Sequence, residues 1–164
     1  MCLPPTHTWT LRGTEHQHRV RSRWGSQGRI NLIGTLRSEG GVQGLEYRVL
    51  EGSCDSKKVL LYLDALAERA SLAKPYVVVL DNAPFHTAAA IREREEEWEA
   101  RGLRLYRLPP YCPHLNPIEG VWRRLKGFLM PRRFYDSLAE LKRAVLHGLR
   151  LLGAVEVQCQ IGDT

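Results

Sequence analysis

The chain has 164 residues, a formal net charge of +6 and a pI near 9.4, and its length fits one domain. No apolar run approaches the ~20 residues that a membrane span requires, and residues 1–5 lack the basic start and apolar stretch of a secretory signal. These features argue against a membrane protein or an exported one and favour a cytoplasmic location. The positive charge favours a polyanionic partner, although a solvated basic surface explains it about as well.

The first half of the chain predicts a hairpin, a helix and a buried strand. Residues 1–28 show little periodicity apart from a short strand at 8–11, whereas 30–36 and 42–50 read as paired strands around a turn at 38–41. Apolar residues spaced by four, three and four predict a helix between Ser56 and Leu72. The β-branched run 76–80 is typical of a parallel strand that is covered on both faces.

The second half predicts helix, strand, loop and two further helices. Thr87 is the expected N-cap of a helix that runs to about Arg101, Gly102 suits a left-handed end, and 103–108 is the next strand. Prolines make 109–116 a loop. Asn116 is expected to cap a helix that buries Ile118, Val121, Trp122 and Leu125, and a capping box at 137–140 starts one that carries Leu141, Val145, Leu149 and Leu152. Residues 155–164 have no clear assignment, and the element order predicts an α/β fold.

Two acidic residues are the candidates for chemistry. Asp81 directly follows the strand 76–80, at the edge where open α/β sheets place ligands, but an Asp-Asn pair there is also a common turn. Glu119 lies in the first turn of its helix, where the helix dipole or a capping box with Asn116 also explains an acid. Because Trp122 and Leu125 bury one face of that helix, we expect Glu119 to point towards the strand ends and to approach Asp81. Paired carboxylates would suit divalent cations in phosphodiester cleavage.

Other polar residues carry weaker signals. His86 follows Asp81 within one loop and would either approach a phosphate or be solvated. A basic cluster on the helix after Glu119 would track phosphates or form a solvated face, and it comprises Arg123, Arg124 and Lys126. Trp24, which lies among arginines, would either stack on DNA or be a surface tryptophan covered by arginine side chains. The pair His16 and His18 lacks a third ligand, and four dispersed cysteines indicate reduced thiols rather than structural zinc.

Segments 77–86 and 108–122 resemble the second and third acidic motifs of DDE transposases from mariner-related bacterial insertion sequences. The similarity extends to Trp9, Gly13 and the run 31–34. It implies an RNase H-like fold, in which a mixed central sheet is flanked by helices, with Asp81 and Glu119 as catalytic ligands of Mg²⁺ or Mn²⁺. The implied partners are transposon-end and target DNA and a second copy of the chain. The residues expected to contact DNA are Asn82, His86, Asn116, Arg123, Arg124 and Lys126.

The chain departs from that family at its start. The family's first acid lies on a strand just before the segment that begins here with Met1, so the first, central strand is expected to be missing between the hairpin and the strand 76–80. Residues 1–152 would then be a partial catalytic domain, and 153–164 a tail. Substitution by another acid is not expected from the positions of Glu15, Glu39, Glu46, Glu51, Asp55 and Asp64.

The sequence therefore predicts a transposase catalytic domain for metal-dependent DNA cleavage and strand transfer, impaired by loss of the first acid. An alternative is a catalytically inactive transposase remnant that still binds DNA. A third interpretation, an RNase H-like nuclease acting on RNA, fits the motif at 116–119 less well.

Overall fold

A computed structural model of the chain describes residues 29–39, 42–110, 112–129, 135 and 137–159. The predicted strand at 8–11, and with it Trp9, Gly13, His16, His18 and Trp24, lies outside these residues. The elements are β1 (Asn31–Glu39), β2 (Val42–Leu50), α1 (Ser56–Ala67), β3 (Tyr76–Leu80), α2 (Ala89–Ala100), β4 (Leu103–Arg107), α3 (Ile118–Leu129), α4 (Leu138–Leu151) and β5 (Val155–Glu156). No helix in the described part of the chain is long and apolar enough to cross a membrane.

The strands form two small sheets. Strands β1 and β2 pair antiparallel along their whole length, and β5 adds to β2 in parallel, so this three-stranded sheet is mixed. The second sheet consists of β3 and β4, which pair in parallel over five residues each. Among the described residues no backbone ladder joins the two sheets. The additional strand expected between β1 and β3 stays a prediction.

Helices cover the sheets and create two apolar clusters. The first lies under α1 and α2 and includes Tyr62, Leu66, Ile91, Trp98 and Leu103. The second lies between the β1–β2 hairpin and the pair α3 and α4, and it includes Leu45, Tyr47, Leu125, Val145 and Leu149. Alternating strands and helices around these clusters confirm the predicted α/β class.

Several acids other than Asp81 and Glu119 make structural contacts. Asp64 Oδ1 accepts hydrogen bonds from the indole Nε1 of the fully buried Trp98 at 2.8 Å and from Arg94 at 2.7 Å, which joins α1 to α2. Glu46 is buried and accepts two hydrogen bonds from Arg69. Asp55 caps α1 by accepting from the backbone of Lys58.

Glu39 pairs with Lys74 at 2.8 Å, and the hydrogen bond from Lys74 lowers the pKa of that carboxyl. Each of these four acids is thus held by a cation or a helix end. The expectation that no other acid replaces the family's first ligand stays a prediction.

Among the described residues, strand β3 is covered on one face, and the exposure of the other face shows that the expectation of two covered faces was wrong. Val78 packs against the first cluster, whereas Val77 and Val79 are 63% and 50% exposed. The reason is that α1 and α2 both belong to the cluster on the Val78 side. The unbroken apolar run of β3 therefore did not reveal which face the helices cover.

Some predicted boundaries also need correction. Helix α1 ends at Ala67 rather than near Leu72, because a turn closed by mutual backbone hydrogen bonds between Ser71 and Lys74 precedes β3. Thr87 does not cap α2: its hydroxyl donates to the carbonyl of Pro84 at 3.3 Å, and Ala88 occupies the cap position. The proline-rich loop contains a 3₁₀ turn at Pro113–Leu115.

The end of the described chain is tied to the sheet. Ser137 caps α4 as predicted by accepting from the backbone of Glu140 at 3.1 Å. After α4, the segment that the sequence left unassigned forms β5. Val157 is buried, and its backbone N–H donates to the carbonyl of Tyr47 at 2.8 Å.

Gly102 ends α2 in the predicted left-handed conformation, with φ of 95°. A Cβ at this position would collide with the backbone carbonyl of Ser71. Gly153 has a similar φ of 67°, but a Cβ there would meet no atom within 4 Å. The two glycines therefore share a backbone requirement and differ in the space around them.

Replacing Gly102 by Ala should destabilise the protein more than replacing Gly153 by Ala. Both substitutions carry the cost of a left-handed alanine, about 1–2 kcal/mol, while Gly102→Ala adds about 1–3 kcal/mol for the forced shift of the segment at Ser71. Urea unfolding of both variants measures the difference. Equal losses of unfolding free energy would contradict the close approach of the chain at Gly102.

Candidate active site

Asp81 lies at the carboxyl end of β3, as its position in the sequence predicted. Its side chain is 48% exposed, and Oδ1 accepts a hydrogen bond from the backbone N–H of Ala83 at 3.1 Å. The ring Nδ1 of His86 lies 2.8 Å from the same oxygen. Asp81 is thus fixed through one carboxylate oxygen by the loop that follows it.

The loops after β3 and β4 are joined by Asn82. Its side-chain Nδ2 donates to the backbone carbonyl of Leu108 at 2.6 Å, and the N–H of Leu108 in turn donates to the carbonyl of Leu80 at 2.9 Å. The amide nitrogen of Asn82, a residue expected to contact DNA, therefore has a partner inside the protein. These two hydrogen bonds continue the pairing of β3 and β4 beyond the last residue of each strand. They reach the edge of the sheet at which Asp81 lies.

Glu119 lies in the first turn of α3, where its side chain is exposed. Its backbone N–H donates to the carbonyl of Asn116 at 3.1 Å. Trp122 packs one turn further along α3, and a Cβ at Gly34 of β1 would lie 2.8 Å from Cη2 of its ring. The absence of a side chain at Gly34 thus lets the Trp122 ring lie against β1, which places α3 beside the hairpin.

Asp81 and Glu119 line the same cavity, which has a volume of about 470 Å³. The other residues around it are Asn82, Ala83, Leu108, Pro109, Pro110, Cys112 and Asn116. Of the residues predicted to act on DNA or metal, this cavity brings together Asp81, Asn82, Asn116 and Glu119. His86 contacts Asp81 from the loop and is not part of the lining.

The residues around the cavity fit a hard divalent cation. Mg²⁺ takes oxygen ligands, and proteins commonly hold it by one or two carboxylates while water and substrate phosphates complete its coordination. Asp81 and Glu119 provide two carboxylates to one cavity. Within the described residues no group of three or more His, Cys, Asp and Glu side chains is placed to hold a metal ion. Carboxylate oxygens suit such hard cations, whereas sulfur and nitrogen ligands are typical of structural zinc sites.

A basic face begins beside the cavity. Arg123, Arg124 and Lys126 are exposed on α3, and no ion pair of theirs is recorded with the rest of the described chain. A Cβ at Gly120 or Gly127 on this helix would meet nothing within 4 Å. This basic face is thus sterically open, and it begins on α3 immediately after the turn that contains Glu119.

Three features of the site were not predicted from the sequence. They are the hydrogen bond from Asn82 to Leu108, the contact between His86 and Asp81, and the close packing of Trp122 on Gly34. Gly34 lies in the predicted strand 30–36 and in the run 31–34 of the family motif. A glycine inside a strand signals a close approach by another group, and that signal was available in the sequence.

Comparison with known families agrees with the motifs. A family model described as DDE superfamily endonuclease matches residues 4–142, which include both acids of the cavity and all of α3. No curated protein matches the chain.

Proposed function

Because the chain belongs to the family of DDE superfamily endonucleases, whose fold is RNase H-like, we propose that it is a transposase catalytic domain that cleaves DNA at the ends of an insertion sequence. In this proposal the freed 3′-hydroxyl is then joined to target DNA. The observation that carries the proposal is that Asp81 and Glu119, from separate elements, share one cavity at the end of β3. The family makes DNA the substrate class, and the open basic face beside the cavity supports that choice.

In this proposal Asp81 and Glu119 hold Mg²⁺ or Mn²⁺. When bound, such ions activate the attacking oxygen and stabilise the leaving oxygen of a phosphodiester. The protein itself positions the two carboxylates. Two hydrogen bonds within its loop hold Asp81. Glu119 lies on a helix that packs against β1 through Trp122. Both acids stay on elements that belong to the packed clusters, so little reorganisation is needed to bring them to the same substrate.

The basic face would hold the phosphate backbone. Arg123, Arg124 and Lys126 are exposed beside Glu119, and the whole chain carries a charge of +6. Lys and Arg bind DNA mainly by displacing counterions from phosphates. Asn116 lines the cavity and is proposed to contact the same DNA near the acids. The predicted second copy of the chain and the cytoplasmic location remain predictions.

A second function, DNA binding without cleavage, is supported by one observation. The described residues bring two acids together, whereas the family resemblance implies three. The two functions share the basic face and differ in their need for a divalent cation. Cleavage requires the ion, but phosphate binding by arginines does not.

The proposed nuclease should nick supercoiled DNA with Mg²⁺ or Mn²⁺, and Asp81→Asn or Glu119→Gln should reduce the rate at least about 100-fold, which corresponds to about 2.7 kcal/mol of transition-state stabilisation. Each substitution removes a negative charge from the cavity while it keeps the size of the side chain. Gel separation of nicked from supercoiled plasmid gives the rate. Glu96→Gln is the matched control, because Glu96 is an exposed acid on α2 away from the cavity.

A chelator should abolish the nicking. If Asp81→Asn nicks DNA as fast as the unchanged chain, the proposal is wrong. If the unchanged chain does not nick DNA and yet binds it equally well with and without a chelator, the second function is the correct one.

The basic face predicts a defined salt dependence of DNA binding. Arg123→Ala and Arg124→Ala should each weaken binding to all sequences and reduce the slope of log affinity against log salt by about 1. Titration of a labelled duplex at several salt concentrations measures this slope. Arg92→Ala is the control, because Arg92 is an exposed arginine of the acidic helix α2; the same change in slope for Arg92→Ala would show that the effect is not specific to the basic face.

A further inference from the structure

The contact between His86 and Asp81 shows which ring nitrogen of His86 carries a proton. Nδ1 lies 2.8 Å from Oδ1 of Asp81 and 3.3 Å from the backbone carbonyl oxygen of the same residue. A carboxylate oxygen and a carbonyl oxygen both act as acceptors, so Nδ1 must be the donor. In the neutral ring, Nε2 is then the unprotonated nitrogen.

The protein holds the ring of His86 in place from several sides. His86 ends the 3₁₀ turn Pro84–His86, and its backbone N–H donates to the carbonyl of Ala83 at 2.8 Å. Phe85 packs against the first apolar cluster and contacts the His86 ring edge to face, with ring centres 4.7 Å apart. The side chain of His86 is only 20% exposed. A ring fixed in this way lies against Asp81 rather than extending into solvent.

We propose that His86 is a positioning residue for Asp81, which it holds by Oδ1 so that Oδ2 remains available to a divalent cation. Ala83 donates to Oδ1 as well, and among the described residues no hydrogen-bond partner is recorded for Oδ2. Partners of this kind orient a ligating carboxylate, and their loss typically weakens metal binding 10- to 100-fold. The inference rests on the proposed function, and it gives His86 a role different from the predicted contact with DNA.

Two amide substitutions separate the roles of the two ring nitrogens. In His86→Asn the side-chain N–H₂ lies near the position of Nδ1 and can still donate to Asp81. In His86→Gln the N–H₂ lies near the position of Nε2 and leaves Oδ1 without its side-chain donor. His86→Ala removes the ring altogether. Mn²⁺ serves as the probe, and its affinity for the chain is measured by titration with detection of free Mn²⁺ by electron paramagnetic resonance.

We expect His86→Asn to bind Mn²⁺ within about threefold of the unchanged chain, and His86→Gln and His86→Ala to bind about 10- to 100-fold more weakly. Asp81→Ala provides the reference for loss of the site. If binding depends on Asp81 but His86→Gln and His86→Ala bind as tightly as the unchanged chain, the positioning role is wrong while the proposed function stands. If the unchanged chain binds Mn²⁺ no better than Asp81→Ala does, both are wrong.

A measurement on the unchanged chain tests the same role without a substitution, in case a variant fails to fold. The ¹⁵N chemical shifts of the neutral His86 ring should show a protonated Nδ1 and an unprotonated Nε2. The opposite tautomer would overturn the proposal, because Nδ1 could then not donate to Asp81.

Discussion

The packing of Trp122 against β1 at Gly34 is the contact on which the site depends. It holds α3, the helix that carries Glu119 in its first turn, against β1. A side chain at Gly34 would also collide with the backbone oxygen of Glu46, at 2.8 Å, so the glycine serves the β1–β2 pair and α3 together. One small residue inside a strand thus links the hairpin sheet to the helix that carries the second acid.

The other acid depends on the loops after β3 and β4. Asn82 holds these loops together through the carbonyl of Leu108, and Asp81 is then fixed by Ala83 and His86. The cavity forms where this rigid edge meets the first turn of α3. The loop after β3 and the first turn of α3, which different contacts hold in place, therefore each place a carboxylate in the same cavity. The basic face of α3 begins next to this cavity. That arrangement suits a polyanionic substrate whose reacting phosphate must lie at the acids.

Most elements were predictable from the sequence because each has a local cause. The hairpin of 30–36 with 42–50, the β-branched run of β3, the left-handed Gly102 and the cap at Ser137 all depend on a few neighbouring residues. The exposure of Val77 and Val79, the pairing of β5 with β2 and the contact between Trp122 and Gly34 depend on segments distant in the chain. The positions and motifs of the two acids identified them in the sequence. The hydrogen bonds that hold Asp81 could not be predicted, because the sequence of a loop does not specify the orientation of its side chains.

The central claim is that Asp81 and Glu119 bind one divalent cation together. Crystals of the chain soaked in Mn²⁺ test it most directly, because manganese gives an anomalous scattering peak that locates the ion independently of the protein. We predict a peak within about 2.0–2.4 Å of oxygens from both carboxylates, the range of hard divalent cations. A peak at only one of the two acids, or carboxylates too far apart to share an ion, would contradict the account.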